Sequence, residues 1–536
     1  MRKRHYEGHS KRRSHKRSKV RNLSVKHKSD LERLEEGNIG VELGKSPLVL
    51  LKSTEPINMS PLTLPESQIV ATSPLNIKQT RDYLQSVCDN ANFCTAFGRE
   101  TNLINSYFKF PTFQYVVNTT TISKGSNGIV TELIYDRQEY RASAILKTDK
   151  TRGADNLYFE GYNGMKYINK LAKQFPCWLE TYGVYKFKPA YAAELKNSLY
   201  HNDLGNPGEK LALGLEPIQT QHLDINTLSD SCFNNSNAAL LIQYINQPLS
   251  FNQWINYNKS EQYCINIELP IILFQIYSVL SALSLTGAFT HYDLHGDNIL
   301  LYKIPNEQYI TLRYINTIIG IPIELKTQYI VKIIDYGRAF CPNNQQIYDL
   351  LCQAPLCNAP INVSNDKGDS EVINDTCGYE TGYPFFSNKH DTEEDLRKQF
   401  YISCNHINTA HDLLFAKRIV EIPNIEWNSS SNWLYLILAS VKLNYKDKYG
   451  TPSMPDFLYN PNVFFPVEND ARGLLFPAVR TVTELYWSIT NFIIFSPIFY
   501  QSMNKLDNVL NKYGEITIDL FFRGYDDIIP MHINLN

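Results

Sequence analysis

Two short stretches constrain this chain more than its composition does. The first is His291-Tyr292-Asp293-Leu294-His295-Gly296-Asp297-Asn298, which runs directly into Ile299-Leu300-Leu301. The second is Val331-Lys332-Ile333-Ile334-Asp335-Tyr336-Gly337, an apolar run that ends on an acid, an aromatic residue and a glycine. Short apolar runs rich in Ile, Leu and Val read as buried strands. Asp335 therefore stands at a strand end, and Asp293 and Asn298 lie on a tight loop just before a strand. The fold must bring strand ends carrying such polar groups together, and the rest of the pattern has to be compatible with that.

The pattern divides the chain. Residues 1–30 carry twelve Lys/Arg against two acids, a net +10, which leaves −12 for the remainder of a chain of formal net charge −2. Residues 1–40 hold almost no large apolar side chains and read as a disordered basic tail. Such a tail is either a nuclear-import or nucleic-acid-binding arm or a merely solvated extension. Residues 41–112 read as a linker and a helical extension, with a helix over 77–97. Strand-like periods follow at 113–117, 128–135 and 142–147, then a helix over 155–174, then strands at 178–187 and 238–245. The polar stretch 189–236 reads as a surface insertion. Beyond 246 the period turns helical, with an apolar central helix over 269–285 and further helices over 391–419, 431–444, 470–494 and 498–512. Only two strands, 299–302 and 329–334, interrupt it, and 303–328 reads as an inserted hairpin.

Composition excludes several classes. With 43% hydrophobic and 12% aromatic residues among 536, the chain can bury a large core and is neither wholly disordered nor collagen-like. The longest apolar run, from Leu269, spans about 15 residues, short of the roughly 20 that cross a membrane. Ten cysteines are scattered without a CxxC pair and no apolar leader is visible. Free thiols in a reducing compartment follow, with no secretion. Cys341, Cys352, Cys357 and Cys377 share one loop-like region, but their irregular spacing reads as free cysteines rather than a zinc site.

The residue types in the two stretches suit phosphoryl transfer, which depends on positioning and charge neutralisation. Asp293 can accept the proton of an acceptor hydroxyl. Asp335 and the amide oxygen of Asn298 are hard oxygen donors suited to Mg2+. On these residues the chain resembles the protein kinase superfamily: H-x-D-L-x-x-x-N and D-aromatic-G match its catalytic-loop and metal-binding motifs. Further parts follow in order. Ser123-Lys-Gly125-Ser-Asn-Gly128-Ile-Val130 resembles the glycine-rich loop over the phosphates. Ala144-Ile-Leu-Lys147 resembles the strand carrying the phosphate-contacting lysine. Glu160 matches its ion-pair partner. Leu240-Leu-Ile242-Gln243-Tyr244-Ile245 resembles the strand into the adenine-binding hinge, with Ile242 as gatekeeper and Gln243 and Ile245 contacting the nucleotide. Asp395 is a weaker match to a structural aspartate of a later helix.

The resemblance covers roughly 113–400. It implies an α+β, bilobal protein-kinase-like fold, with a small antiparallel-sheet N-lobe over 113–245 and a larger, mainly helical C-lobe over 246–536. It implies ATP and Mg2+ as cofactors, Asp293, Lys147 and His295 as catalytic residues, Asn298 and Asp335 as metal ligands, and a serine/threonine-protein kinase acting on a protein substrate. The phrasing around Asp293 looks like that of kinases of large nucleocytoplasmic DNA viruses, including giant amoebal viruses. That source implies host cytoplasm, nucleus or virion, no membrane, and an import receptor or nucleic acid as partner of tail 1–30.

Four departures from the family pattern stand. Ser123 replaces the first loop glycine. Tyr292 replaces the arginine that pairs with a phosphorylated activation loop. His295 replaces a lysine and resembles instead small-molecule kinases of the aminoglycoside and choline type. The 36 residues between Asn298 and Asp335 exceed the usual spacing, and no A-P-E motif follows. A small-molecule kinase and a pseudokinase scaffold therefore remain as alternatives.

Overall fold

The computed structural model describes residues 100–341, 409–441 and 479–520, apart from short stretches including 125–127, 150–156, 220–237 and 316–321, with isolated pieces elsewhere. All of these belong to one compact unit, Leu75–Asn536. The basic tail 1–40, Gly125, Cys352, Cys357, Cys377 and Asp395 lie outside the described residues.

A helix α1 (Glu100–Phe108) leads into three strands, β1 (Val116–Lys124), β2 (Gly128–Arg137) and β3 (Tyr140–Asp149). In β2, buried residues alternate with more exposed ones, the period of a strand with one face on a core. Gln138 and Glu139 join β2 to β3, both with positive φ (51° and 76°), and Arg137 pairs with Tyr140 across them. That is the backbone of a two-residue hairpin turn whose twist matches the strands. Helix α2 (Leu157–Asn163) continues through a π turn, Gly164–Ile168, to Ala172. Then come β4 (Thr181–Phe187), α3 (Ala192–His201), α4 (Pro207–Gly214), β5 (Leu215–Pro217) and β6 (Ala238–Gln243). The strands form one six-stranded sheet in the order β1-β2-β3-β6-β4-β5, antiparallel at every pairing.

The two faces of this sheet differ. Leu133, Tyr135, Ala144, Leu146 and Leu241 pack against Phe108, Phe110, Leu195, Leu199 and Leu211 in one core cluster. Within the expected insertion 189–236, the described residues 189–219 form α3, α4 and β5 rather than a polar surface loop. The apolar residues at i and i+4 in α3 (Leu195, Leu199) are buried, and helical spacing let them close that face. The other face carries α2. A Cβ on Gly161 would meet Val184 Cγ2 at 2.4 Å and Leu240 Cδ1 at 3.1 Å, so the helix lies directly on β4 and β6.

The second half begins with β7 (Leu249–Ser250) and α5 (Phe251–Asn258), capped by a reciprocal Ser250–Gln253 box. After a π turn at Cys264–Glu268 comes the central helix α6 (Leu269–Gly287). The stretch Cys264–Ser284 is long and apolar enough by length and composition to cross a membrane, but 94% of its apolar window is buried within the protein. Strands β8 (Ile299–Lys303) and β11 (Tyr329–Ile333) pair antiparallel and flank an inserted hairpin of β9 (Gln308–Ile315) and β10 (Ile323–Thr327). Two short hairpins, β12 (Ile361–Ser364) with β13 (Ser370–Ile373) and β14 (Val467–Asn469) with β15 (Leu475–Pro477), lie further along. Helices α7 (Leu413–Ile419), α8 (Asn432–Ala439), α9 (Val482–Phe495) and α10 (Pro497–Leu506) match the expected helical positions in part.

Three expectations are corrected. The helix expected over 498–512 ends at Leu506, and β16 (Asn511–Asp519) runs parallel to β9 and antiparallel to β17 (His532–Leu535). The second half therefore carries a four-stranded sheet of its own, β10-β9-β16-β17. The helix expected over 77–97 is not continuous: Cys88 and Cys94 are joined by a disulfide across a tight turn stapled by the Asp89 carboxylate, so two of the ten thiols are not free. Cys177, Cys264 and Cys341 take part in no disulfide.

Glu268, fully buried, fixes the inserted hairpin to the start of α6. It accepts from the Thr327 hydroxyl, from Gln328 N–H at 3.2 Å and from Tyr263 OH at 3.5 Å. Burial pushes its carboxyl from 4.5 up to about 7, against the lowering effect of those donors. A carboxyl raised in the folded state stabilises most below its unfolded pKa and loses that contribution as pH rises through the folded value. Glu268→Gln is expected to reduce the loss of stability between pH 5 and pH 8 by about 2 kcal/mol. Denaturant melts at both pH values check this, and an unchanged pH slope would contradict it.

Candidate active site

The site is built where three chain segments meet. The loop 290–298 leaves α6 and enters β8. The segment 334–340 leaves β11. Lys147 lies on β3 and Glu160 on α2.

Backbone pairing joins the first two. Thr290 and Phe340 exchange hydrogen bonds in both directions, Thr290 N–H to Phe340 O at 3.1 Å and Phe340 N–H to Thr290 O at 2.8 Å. Ile334, immediately before Asp335, donates its N–H to Asn298 O at 3.0 Å, and its carbonyl lies 2.9 Å from His291 Nε2. Asp293 N–H donates to His291 Nδ1 at 3.2 Å. The His291 ring thus accepts at Nδ1 and donates at Nε2, which requires the neutral form, and burial holds its pKa below the usual range. It is a structural pin beneath the loop.

Asn298 Nδ2 donates to Asp293 O at 3.0 Å, which turns Oδ1 away from that carbonyl. His295 Nδ1 accepts the Asp297 N–H at 3.2 Å. Its neutral ring therefore carries the proton on Nε2, which lies 3.4 Å from Asp293 Oδ1. Lys147 Nζ bridges two acids, Glu160 Oε2 at 2.8 Å and Asp335 Oδ1 at 3.3 Å. Glu160 is 3% exposed, so its charge has a partner where water is scarce.

The remaining expected residues fall around this pair. Val130 is the direct cross-strand partner of Lys147, and Ser123 of Val130. Gly128 opens β2. Ile242 pairs with Ile145, two residues from Lys147 and on its face of the sheet. Gln243 turns the other way: its side-chain oxygen accepts Glu180 N–H at 3.4 Å while its own N–H donates to Glu180 O at 2.8 Å. Ile245 is buried just beyond β6. Residues 147, 160, 293, 295, 298 and 335 are thus brought together, whereas the Gln243 side chain is committed behind the sheet.

Two non-glycine residues of the site hold left-handed backbone, Tyr292 (φ 59°) and Asp335 (φ 68°). Each such residue costs about 1–3 kcal/mol and persists only where its surroundings over-determine it. For Asp335 the ion pair with Lys147 contributes. For Tyr292 the determinant is Asp412, which the sequence pattern did not single out. Its Oδ2 accepts His291 N–H at 2.8 Å and its Oδ1 accepts Tyr292 N–H at 3.1 Å. The Tyr292 ring is fully buried, edge-on to His411 at 5.3 Å. Asp412 precedes the apolar Leu413-Leu-Phe-Ala, so the available signal was an acid at the start of a buried helix.

Asp335 and Asn298 offer one carboxylate and one amide oxygen. Mg2+ needs little more from a protein, since it keeps waters and takes phosphate oxygens. The donor set fits that ion.

No protein-family model and no curated protein matches the sequence. Among solved structures, the crystallised kinase domain of PF14_0431 is similar over 44% of this chain and 57% of that one, at 12% identity and a TM-score of 0.22. The chain thus spans a little over half of that domain, and a likeness at this level fixes neither fold nor activity.

Asp412→Ala is expected to leave two buried N–H groups unpaired, at about 1–3 kcal/mol each. Equilibrium unfolding should show this loss, with Asp412→Asn, which retains one acceptor oxygen, falling between the variant and the native protein. Native-like stability of Asp412→Ala would contradict it.

Proposed function

We propose that this chain is an ATP-dependent phosphotransferase, a protein kinase whose acceptor is a serine or threonine hydroxyl. The observation that carries the reading is the Lys147 ammonium shared between Glu160 and Asp335, next to a loop that orients Asp293 and Asn298. A protein that only packed these groups would have little reason to gather two carboxylates around one ammonium beside a third.

In this reading the nucleotide lies beneath β1 and β2, with Val130 and Ile242 against the adenine and the main chain of 243–245 along its edge. Lys147 holds the α/β-phosphates and is itself oriented by Glu160. Asp335 and Asn298 Oδ1 hold Mg2+, which when bound neutralises the charge that develops on the transferred group. Asp293 accepts the proton of the attacking hydroxyl. His295 Nε2–H, 3.4 Å from Asp293 Oδ1, keeps that carboxylate aimed and stands where it can donate to a phosphoryl oxygen. One observation favours a second reading: a histidine, not a lysine, stands beside Asp293, as in kinases of small hydroxylated molecules.

Transfer of label from γ-labelled ATP to panels of proteins and of hydroxylated metabolites tests both. Labelled protein is expected, with Asp293→Asn slower by roughly a hundred- to ten-thousand-fold. Labelling of metabolites alone would favour the second reading, and equal rates for variant and native protein would remove Asp293 from its role.

A further inference from the structure

Asn163 is a fully buried polar side chain at the last residue of α2, three positions after Glu160. Its Nδ2 donates to two main-chain carbonyls, Tyr336 O and Ala339 O, at 3.0 Å each. Both belong to the segment directly after Asp335. Helix formation gives no reason for this residue, since asparagine competes with the helix for backbone hydrogen bonds, and a buried amide is costly unless paired.

We propose that Asn163 is a positioning residue that ties the helix carrying Glu160 to the segment carrying Asp335, so that both carboxylates reach Lys147 together. This deepens the phosphotransferase reading and rests on it. Residues three apart share a helix face, so one face of α2 presents Glu160 to Lys147 and, a turn later, Nδ2 to the segment. The links close a ring: Asp335 to Lys147 at 3.3 Å, Lys147 to Glu160 at 2.8 Å, one helical turn to Asn163, then Tyr336 O at 3.0 Å, one residue from Asp335. Opening the ring at Asn163 removes the constraint on the distance between the two acids.

The helix on which this tether hangs is itself fixed. Asn169 Nδ2 donates to Thr181 O at 2.7 Å and Asn169 Oδ1 accepts Thr181 N–H at 2.8 Å, which binds the helix to β4. A Cβ on Gly164 would lie 2.1 Å from Thr181 Oγ1, so the π turn lies hard against that strand. The segment is held from its other side as well, by Tyr336. Its hydroxyl accepts Leu179 N–H at 2.9 Å and donates to Ile333 O.

The test is Asn163→Asp, which keeps the shape but faces two carbonyl oxygens with acceptors. Only its protonated form can donate, and then one bond. Protection factors from hydrogen exchange, measured on the ligand-free full chain, should fall about tenfold for residues 157–168 and 335–341 at pH 7.5 and recover toward native values at pH 5. Asn163→Leu should show the same local loss without recovery. The titratable groups around the position are Glu160, Tyr162 and Tyr167 on the helix, Lys147 on β3, and Asp335, Tyr336 and Cys341 on the tethered segment. They are common to variant and native protein and cancel in the ratio. Titration with Mg-ATP is the second arm, with a several-fold weaker apparent affinity expected for Asn163→Asp. Native protection in both variants, or a loss spread evenly over the whole chain, overturns the proposal. If the native protein binds no Mg-ATP, the phosphotransferase reading fails while the exchange result still decides the tether. Should Asn163→Asp not fold, Asn163→Leu carries the same local-against-global comparison.

Discussion

The arrangement depends on one ammonium between two carboxylates. Lys147 comes from the sheet, Glu160 from the helix lying on it, and Asp335 from the end of a strand in the other half of the chain. Removing one partner of a buried ion pair costs about 3–5 kcal/mol, because the other charge is left without compensation. Lys147 keeps 21% side-chain exposure, so the cost here lies below that range. The consequence is geometric as much as energetic. Three segments that share no local sequence are referred to one nitrogen atom, and each must be supported from behind for the distances to hold.

That support comes from two directions. Behind the loop 290–298, Asp412 accepts two consecutive backbone N–H groups, and the Thr290–Phe340 pairing ties the loop to the segment after Asp335. Together they hold the left-handed Tyr292 and Asp335. Behind the sheet, the N-terminal extension acts as a second layer: Tyr135 and Tyr185 donate their hydroxyls to Phe110 O and Pro111 O at 2.9 Å each. With α3 and α4 on the same side, the strand that carries Lys147 is packed on both faces, which makes its position a rigid reference for the site.

Much of the site was legible in sequence, and the reason is local. Asp293 and Asn298 are five residues apart on one loop, and Asp335 and Lys147 each end or line a strand whose period is readable. Asp412 and Asn163 were not legible, because their partners lie 120 to 176 residues away and no spacing rule connects a buried side chain to a carbonyl that distant. The fold shows the same division. Strands β2 to β4 and helix α6 follow from period and apolarity, whereas the strand expected over 113–117 is mostly turn, with Phe113 at φ 59°, and β1 runs over Val116–Lys124 instead. The β2–β3 turn uses Gln138-Glu139 rather than the Asn-Gly that signals such a turn. The helices within 189–219 were hidden by the Asn, Gly and Pro content of that stretch, although Leu195 and Leu199 keep helical spacing. Strand β16 was hidden at the end of a helical pattern, since a nine-residue strand is ordered by pairing with the distant β9 on one side and β17 on the other.

The most direct measurement of the central claim is a crystal structure with a non-hydrolysable ATP analogue and Mn2+, located by its anomalous signal. The account expects Mn2+ bound by Asp335 and Asn298 Oδ1, with Lys147 on the phosphates and still paired with Glu160. Metal and nucleotide bound elsewhere on the chain, with Lys147 untouched, would contradict it.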